Sequence, residues 1–582
     1  MILVRRIFFV FRHVYGQFSK TVQKSLLSQR CGFVNCLAVA LSSVSVANLG
    51  QFITLRLYAA IQWELDLVLR IAGSLSRQTQ ASFTDMSDYT VIIGLEVHTQ
   101  LKTQSKLFCG CANEFNPDHP NTQTCPVCLG LPGALPVMNR LAFELSLKTA
   151  LALNCHIPLF TKWDRKQYYY PDLPKAYQIS QFDLPFSEKG WLEIVNDVEG
   201  EPVRRINITR AHLEEDAGKN VHDESGRGGD SCVDLNRTGT PLVEIVSEPD
   251  LRTASEARRY LEEMRTLLLF IGVSDCNMQE GSLRCDANVN LHIHNADGSK
   301  TATPIVELKN MNSFRNVEMA IEYEVKRQHR EFTKTGKTID DAPKVTRGWD
   351  AERSVTFAQR EKEDSSDYRY FPDPDLVPVV LTQAEIDAVQ ASLPETPAIK
   401  RSRFQSQLGL TEYDASVIIG QGPELTEYFE TVVDECKDGK TAANWVSQEV
   451  LRDLNASSVS LPEFPVTAQL LGRLLKRIVE KRITNKSARD VYAALKQQAA
   501  NGKALTVSVV EALAAEREIV RDTGALEAAI SSAIAAQPAA VADVKEGKIQ
   551  AIGPMMGMIM KQVAGADAKS VRELLIKTIQ DA

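Results

Sequence analysis

Four cysteines and a group of acids with two histidines are the residues of this chain whose types and spacing suit chemistry. Cys109-x-Cys111 and Cys125-Pro-x-Cys128 are separated by 13 residues, and two closely spaced thiol pairs at such a separation suit one tetrahedral zinc ion. A closed four-thiolate site leaves no open coordination position, so its expected role is structural, holding the loop from Phe108 to Pro132 in place. Glu96 and His98 stand two apart in VIIGLEVHTQ, as do His212 and Glu214 in RINITRAHLEEDAGK; residues two apart on a strand share a face. Glu244 lies among Leu242, Val243, Ile245 and Val246, where a carboxylate is costly unless paired or bound to metal. Asp286, in GSLRCDANVN, is a further acid at a strand start. Taken singly, each is more often an ion-paired or exposed group. Converging on one sheet face, they would make a pocket suited to Mg²⁺, which takes carboxylates and often carries substrate phosphate as well.

Between these acids lies DRKQYYYPDLPKAYQISQ, residues 164–181, with three consecutive tyrosines, Lys166 and Lys175. Aromatic rings beside cations suit stacking on bases and neutralising phosphate. A second basic concentration, RLLKRIVEKRITNKSAR at 473–489, holds seven Lys/Arg against one Glu. Its apolar residues Leu474, Leu475, Ile478, Val479 and Ile483 form an inward helical stripe, leaving a basic side that favours a nucleic-acid contact. The Gly336–Thr338 tripeptide has Glu331 where a P-loop needs its first glycine. ATP use would therefore need another architecture. The chain also lacks a Gly-x-Gly-x-x-Gly fingerprint, a Gly-x-Ser-x-Gly elbow and the Gly/Ser-rich run of amidase-type glutaminases.

The elements that must position these residues read as strands with a few long helices. Thr90–His98, Glu193–Val198, Val203–Glu215, Pro241–Val246, Ala287–Ile293 and Thr303–Leu308 are β-like. Arg140–Leu153, Ser255–Ile271 and Ser313–Thr335 read as helices. This pattern predicts an α+β domain with a large antiparallel sheet. After Leu381 the strand signal fades into short helices, and from Ala442 the chain is helical to its end.

The length of 582 residues allows two to four domains. The formal charge of −8 is uneven: residues 1–85 carry nine Lys/Arg and three acids, a net of +6, leaving −14 for the rest. RNA binding would then rely on a local basic patch. The acid-free, Arg-bearing, Ser-rich start, up to Glu64, resembles an organellar transit peptide, mitochondrial most of all. A membrane span over Cys31–Leu55 and an over-extended reading frame are the competing readings. Cys31, Cys36, Cys155, Cys232, Cys276, Cys285 and Cys436 are scattered and form no disulfide framework.

Longer segments carry a resemblance. IGLEVHTQL (93–101), CLGLPGALPVMN (128–139), YYYPDLPKAYQISQ (168–181), HLEEDAGK (212–219), DLNRTGTPLVEIVSEPD (234–250), MQEGSLRCDANVN (278–290), ELKNMNSFRNVEMAI (307–321) and DYRYFPDPDLVP (367–378) resemble the GatB family, the B-type subunits of the tRNA-dependent amidotransferases. The resemblance implies a cradle-like catalytic domain at 87–380, an all-helical linker domain at 381–430 and a YqeY-like helical tail at 431–582, after a targeting extension over 1–86. It implies ATP-dependent conversion of Glu-tRNA(Gln) to Gln-tRNA(Gln), or Asp-tRNA(Asn) to Asn-tRNA(Asn). The implied partners are an amidase-type glutaminase subunit, a small third subunit that holds the complex together, and misacylated tRNA, without stable membrane insertion.

Carried over by position, Glu96, His98, Glu214 and Glu244 would be catalytic and would line the Mg²⁺ site together with Asp286. Lys166, Lys175, Tyr170 and Arg284 would bind ATP or substrate. Cys109, Cys111, Cys125 and Cys128 would hold zinc, and Arg473, Lys476, Arg477 and Lys481 would meet tRNA. The setting would be the mitochondrial matrix, with plastid or dual targeting open. The competing function is a non-catalytic, zinc-stabilised tRNA-binding module in which the acids are structural.

Overall fold

Along Tyr89–Gln100 the residues Ile93, Leu95, Val97 and Thr99 are at most 1% exposed, while Glu96, His98 and Gln100 between them are half-buried. This alternation is that of a strand with one face on a core and the other on a polar site. A computed structural model describes residues 89–582, apart from 196–202, 222–230, 343, 360–367, 458, 519–522, 564–567 and 582. The transit-peptide and membrane-span readings therefore lie outside the described residues. Among these, no helix is long and apolar enough to cross a membrane.

In chain order the first elements are β1 (Tyr89–Gln100), α1 (Arg140–Ala152), β2 (Phe160–Thr161), β3 (Asp164–Gln167), β4 (Tyr177–Ser180), β5 (Ser187–Val195) and β6 (Val203–Glu215). Then come β7 (Lys219–Val221), β8 (Cys232–Asp234), β9 (Pro241–Ser247), α2 (Ala254–Phe270), β10 (Leu283–His294), β11 (Lys300–Ala302) and β12 (Val306–Lys309). α3 (Phe314–Thr335), β13 (Val345–Asp350), β14 (Val355–Ala358), β15 (Phe371–Pro372) and β16 (Val379–Val380) complete this part. A nine-stranded sheet runs β14-β13-β12-β10-β1-β9-β6-β5, with β11 on β10.

Among the described residues the expected antiparallel sheet is interrupted once: β12 and β13 pair parallel, because the chain returns through the crossover helix α3 and not through a hairpin. α2 starts at Ala254, one residue before the expected Ser255, with the Thr253 hydroxyl capping it by accepting from Glu256 N at 3.0 Å. α3 closes on Gly336, whose φ of 64° is a left-handed cap. The Gly-Lys-Thr sequence thus ends a helix, whereas a P-loop opens one.

Apolar residues of α1, α2 and α3 share one core with the odd-numbered face of β1 and the partners of that face on β6, β9, β10 and β12. The opposite sheet face carries the acids. β6 needs a device to serve both faces. Ile206 and Ile208 are buried in the core, but so are Ala211 and Leu213, a change from even to odd positions. A bulge between Ile208 and Arg210, opposite Ser247 and Val246, makes the switch. One extra residue turns His212 and Glu214 onto the polar face.

Beyond Leu381 the described chain is helical. One apolar cluster extends from Phe404 to Val510 and takes in Phe270 of α2; another gathers residues between Ala529 and Ile579.

Candidate active site

Sheet register sets the site. Arg284, His98, Glu244 and His212 lie side by side across β10, β1, β9 and β6, on strands roughly 4.8 Å apart. His98 Nε2 is 3.5 Å from Glu244 Oε2, and His212 Nε2 is 3.3 Å from the same oxygen and 3.5 Å from Glu214 Oε2. Donor atoms of His98, Glu214 and Glu244 all lie within 4.8 Å of one another. Ser180 Oγ donates to Glu214 Oε2 at 3.1 Å. Glu214 and Glu244 are 2% and 8% exposed.

Opposite charges keep these buried acids ionised. Burial would raise Glu244, yet the His212 and His98 imidazoles hold it well below the usual carboxylate range. Burial is likewise outweighed at Glu214, by the Lys166 ammonium first and His212 next. The histidines respond in kind. Burial pulls His212 down, but Glu244 and Glu214 lift it to about 9, and Glu244 raises His98 against its burial. His212 Nδ1 is buried and has no hydrogen-bond partner. Two carboxylates and an imidazole within one ion's reach fit a divalent cation of the Mg²⁺ or Mn²⁺ kind.

The five expected Mg²⁺ ligands do not form one set. Glu96 and Asp286, opposite each other in the β1–β10 register, group with Glu307 of β12, again within 4.8 Å. This second group already has cationic and hydrogen-bonding partners. Lys309 Nζ is 2.5 Å from Asp286 Oδ2 and 3.4 Å from Glu307 Oε1, Asn288 Nδ2 donates to Glu96 Oε1 at 2.8 Å, and Lys344 lies 3.5 Å from Glu307. His98 and Glu96 thus serve neighbouring but separate clusters, because Arg284 stands opposite one and Asp286 opposite the other.

The predicted cations also divide. Lys166, on β3, sits 5.1 Å from the centroid of the Tyr368 ring; burial would lower its ammonium, but Glu214 and Glu244 raise it. Lys175 is committed elsewhere. Its ammonium pairs with Glu215, with side chains 4% and 2% exposed, and Glu215 Oε1 also accepts from Ile179 N at 2.8 Å. Gly130, at φ +65°, packs against the Lys175 stem where a Cβ would collide at 2.3 Å. Arg284 Nη2 donates to Asp216 Oδ2 at 2.8 Å, and Tyr170 is 62% exposed on the loop before β4.

The Sγ atoms of Cys109, Cys111, Cys125 and Cys128 lie within 4.8 Å of one another. Cys125 and Cys128 sulfurs are 3.9 Å apart, close to the ~3.8 Å edge of a tetrahedron with 2.3 Å zinc–sulfur bonds. Cys125 N donates to Cys128 Sγ at 3.1 Å. A hydrogen bond from Cys109, with help from Lys106, brings the Cys128 thiol down to about 5. The donor set fits zinc.

The tail cations are less available than the sequence suggests. The helix Ala468–Val479 ends before Lys481, which takes a left-handed φ of 56°, so residues 473–489 are not one basic helix. Arg473 pairs with Glu435 at 2.9 Å, and Arg477 lies 3.6 Å from Glu518 and 3.8 Å from Glu511.

Glu307, Lys309 and Lys106 are not singled out from the sequence, and His212, which its spacing pairs with Glu214, is not among the ligands that the resemblance implies. Glu307, in the short run Val306–Lys309, carried the same signal as Glu244, an acid within a strand. Lys106 is 1% exposed and donates to Gln123 O at 2.6 Å; nothing local to it marks a buried lysine.

Residues 91–387 match the family model of the GatB/GatE catalytic domain, and residues 427–579 match that of the GatB domain. The chain is 55% identical over 491 residues to the B subunit of the aspartyl/glutamyl-tRNA(Asn/Gln) amidotransferase of Rhodopirellula baltica, covering 84% of this chain and 97% of the relative. The proteins of the same name from Carboxydothermus hydrogenoformans and Moorella thermoacetica are 46% and 47% identical, each across 84% of this chain and 98% and 99% of their own length. With a matching sheet domain, a matching helical tail and relatives aligned along nearly their whole length, the chain belongs to the GatB family.

Proposed function

We propose that this chain is the transamidating component of a tRNA-dependent amidotransferase, converting Glu-tRNA(Gln) to Gln-tRNA(Gln) or Asp-tRNA(Asn) to Asn-tRNA(Asn). The observation that carries the reading is the convergence of His98, Glu214 and Glu244, flanked by Lys166, on the polar sheet face of a GatB-family chain. A carboxylate is a poor acyl donor. Its oxygen takes the γ-phosphoryl group of ATP, releasing ADP; ammonia then adds to the acyl carbon, loses a proton and expels phosphate.

His98, Glu214 and Glu244 would hold Mg²⁺, which when bound neutralises charge on the phosphoryl group being transferred. Lys166 adds a fixed positive charge at the same place, backed by the Tyr368 ring. His212, beside Glu244 in the sheet register, holds the two glutamates in position. Cys109, Cys111, Cys125 and Cys128 would bind structural zinc. Ammonia comes from an amidase-type glutaminase partner, with a small third component in the complex; the lack of a Gly/Ser-rich glutaminase run in this chain supports that division. The domain limits 87–380, 381–430 and 431–582 are supported by the two family matches, which leave residues 388–426 between them. An organellar location is supported by the basic, acid-free start of the chain and is tested by imaging residues 1–90 fused to a fluorescent reporter.

The reading is tested on the complex with misacylated tRNA and Glu244→Gln. ATP-dependent amidation should fall by about 10²-fold or more, the scale for losing one preorganised electrostatic group; a wild-type rate refutes the metal assignment. A binding-only module would hold tRNA yet show no ATP turnover that depends on its misacylation.

A further inference from the structure

Lys166 is one end of a chain of ring contacts that starts beside the acids. Its Nζ lies 5.1 Å from the Tyr368 centroid, Tyr368 meets Tyr370 edge-on at 5.9 Å, and Tyr370 stacks on Phe182 at 4.2 Å with only 7° between the planes. Phe182 is 47% exposed. The Tyr370 hydroxyl also feels the acid cluster: burial raises it, Lys166 opposes, and Glu214 and Glu244 add to the rise.

The stack is built on rigid parts. β15, β3 and β4 form a three-stranded sheet that carries Lys166 on its middle strand, Tyr370 just before one edge strand and Phe182 just after the other. Asp164, 1% exposed, accepts from Phe182 N at 3.0 Å. Arg165 donates to Asp373 at 2.7 Å and to Asp375 at 3.0 Å, fastening the segment that bears Tyr370. A flat aromatic pair, carried on a sheet and partly exposed at Phe182, is a surface of the kind on which a nucleobase stacks.

We propose that the Phe182–Tyr370 stack is a docking platform for the adenine of an adenosyl ligand whose reactive end reaches the acids beside Lys166. The inference rests on the function proposed above, in which both substrates carry adenosine: ATP, and the 3′ end of the misacylated tRNA. Each carries its reacting group at the other end of a ribose from the base, and ring contacts through Tyr370 and Tyr368 join Phe182 to Lys166. Stacking requires no hydrogen-bond readout, so the platform holds the base and leaves discrimination to other contacts.

The test compares wild-type, Phe182→Leu and Phe182→Trp complexes, with KM measured separately for ATP and for misacylated tRNA. Phe182→Leu keeps apolar volume and removes the π face. It should raise one of the two KM values by roughly 5- to 150-fold, the range for one stacked base, with Phe182→Trp restoring it. A rise for ATP assigns the platform to the nucleotide; a rise for tRNA assigns it to the acceptor end. Unmoved KM values, or a lowered kcat alone, overturn the platform. If the wild-type complex itself shows no ATP turnover dependent on misacylated tRNA, the functional reading fails instead. Should Phe182→Leu not fold, wild-type complex decides with 2-aminopurine in place of adenine in each ligand. Quenched fluorescence on binding supports stacking, and unquenched fluorescence with both ligands refutes it.

Discussion

Removing His212 should destabilise the metal-free sheet domain by about 3 kcal/mol, and only over a defined pH range. The imidazole is 3% exposed, and its Nε2 lies 3.3 Å and 3.5 Å from Glu244 and Glu214. Burial opposes its charge, but the two carboxylates lift it from 6.5 to about 9. At ~1.4 kcal/mol for each pKa unit, that rise is worth about 3 kcal/mol, near the lower end of the roughly 3–5 kcal/mol for breaking a buried charge pair. The low position of both glutamates is the same interaction seen from the other side and is not counted again. Because the folded pKa is the raised one, the contribution is complete below pH 6.5 and is lost as the pH climbs through about 9. The assay is urea unfolding of chelator-treated wild type, His212→Ala and His212→Gln, followed by the fluorescence of Trp163 and Trp349, both in this core. His212→Gln keeps a donor without the charge and should fall between the other two. Adding Mg²⁺ should narrow the gap, since a bound cation supplies the missing positive charge and stabilises the folded state by mass action. A gap that is absent below pH 6.5, or that does not shrink above pH 9, refutes the reasoning.

Replacing Lys166 by Met keeps the stem and removes the ammonium facing Glu214 and Glu244; turnover should fall by about 10²-fold or more, and a near wild-type kcat would rule out a role for the charge. Cys125→Ser, or a strong chelator, should release zinc and open the loop 108–132 to protease while leaving the sheet intact; metal analysis that finds no zinc in the native protein refutes the site. Neutralising Arg473, Lys476, Arg477 and Lys481 together should lower the salt slope of tRNA binding by less than the ~0.9 per cation expected of free side chains, because Arg473 and Arg477 already pair with glutamates. A full drop would show that those pairs open on tRNA.

Much of the framework was legible because it rests on short-range patterns. The helix read at Arg140–Leu153 is found at Arg140–Ala152, where Asn139 accepts from the first amides. The strand read at Val203–Glu215 has those limits. Thiol spacing likewise anticipated four sulfurs converging, since two tight turns bring each pair together before any long-range contact is made. The partners of Lys175 and of the basic tail were not legible for one reason: a side chain's charge is visible in the sequence, but the group it pairs with is not. Glu215 lies 40 residues from Lys175 and Glu435 38 from Arg473, and only packing brings them into contact.

The acids show where the division falls. Residue types and period-two spacing by themselves determined that Glu96 and His98 share a face, and that Glu244 needs a partner within its apolar strand. Tertiary structure alone decided which acids meet. The register sets Asp286 opposite Glu96 and Arg284 opposite His98, dividing one expected cluster into two. The bulge at Ile208/Arg210 decided that His212 and Glu214 reach the site at all. Without it, strand alternation would place them on the face of Ile206 and Ile208, in the core. A one-residue insertion in a ladder has no local sequence mark here; it is selected because the Glu214 carboxylate and the His212 imidazole are less costly facing Lys166 and Glu244 than buried among aliphatic side chains.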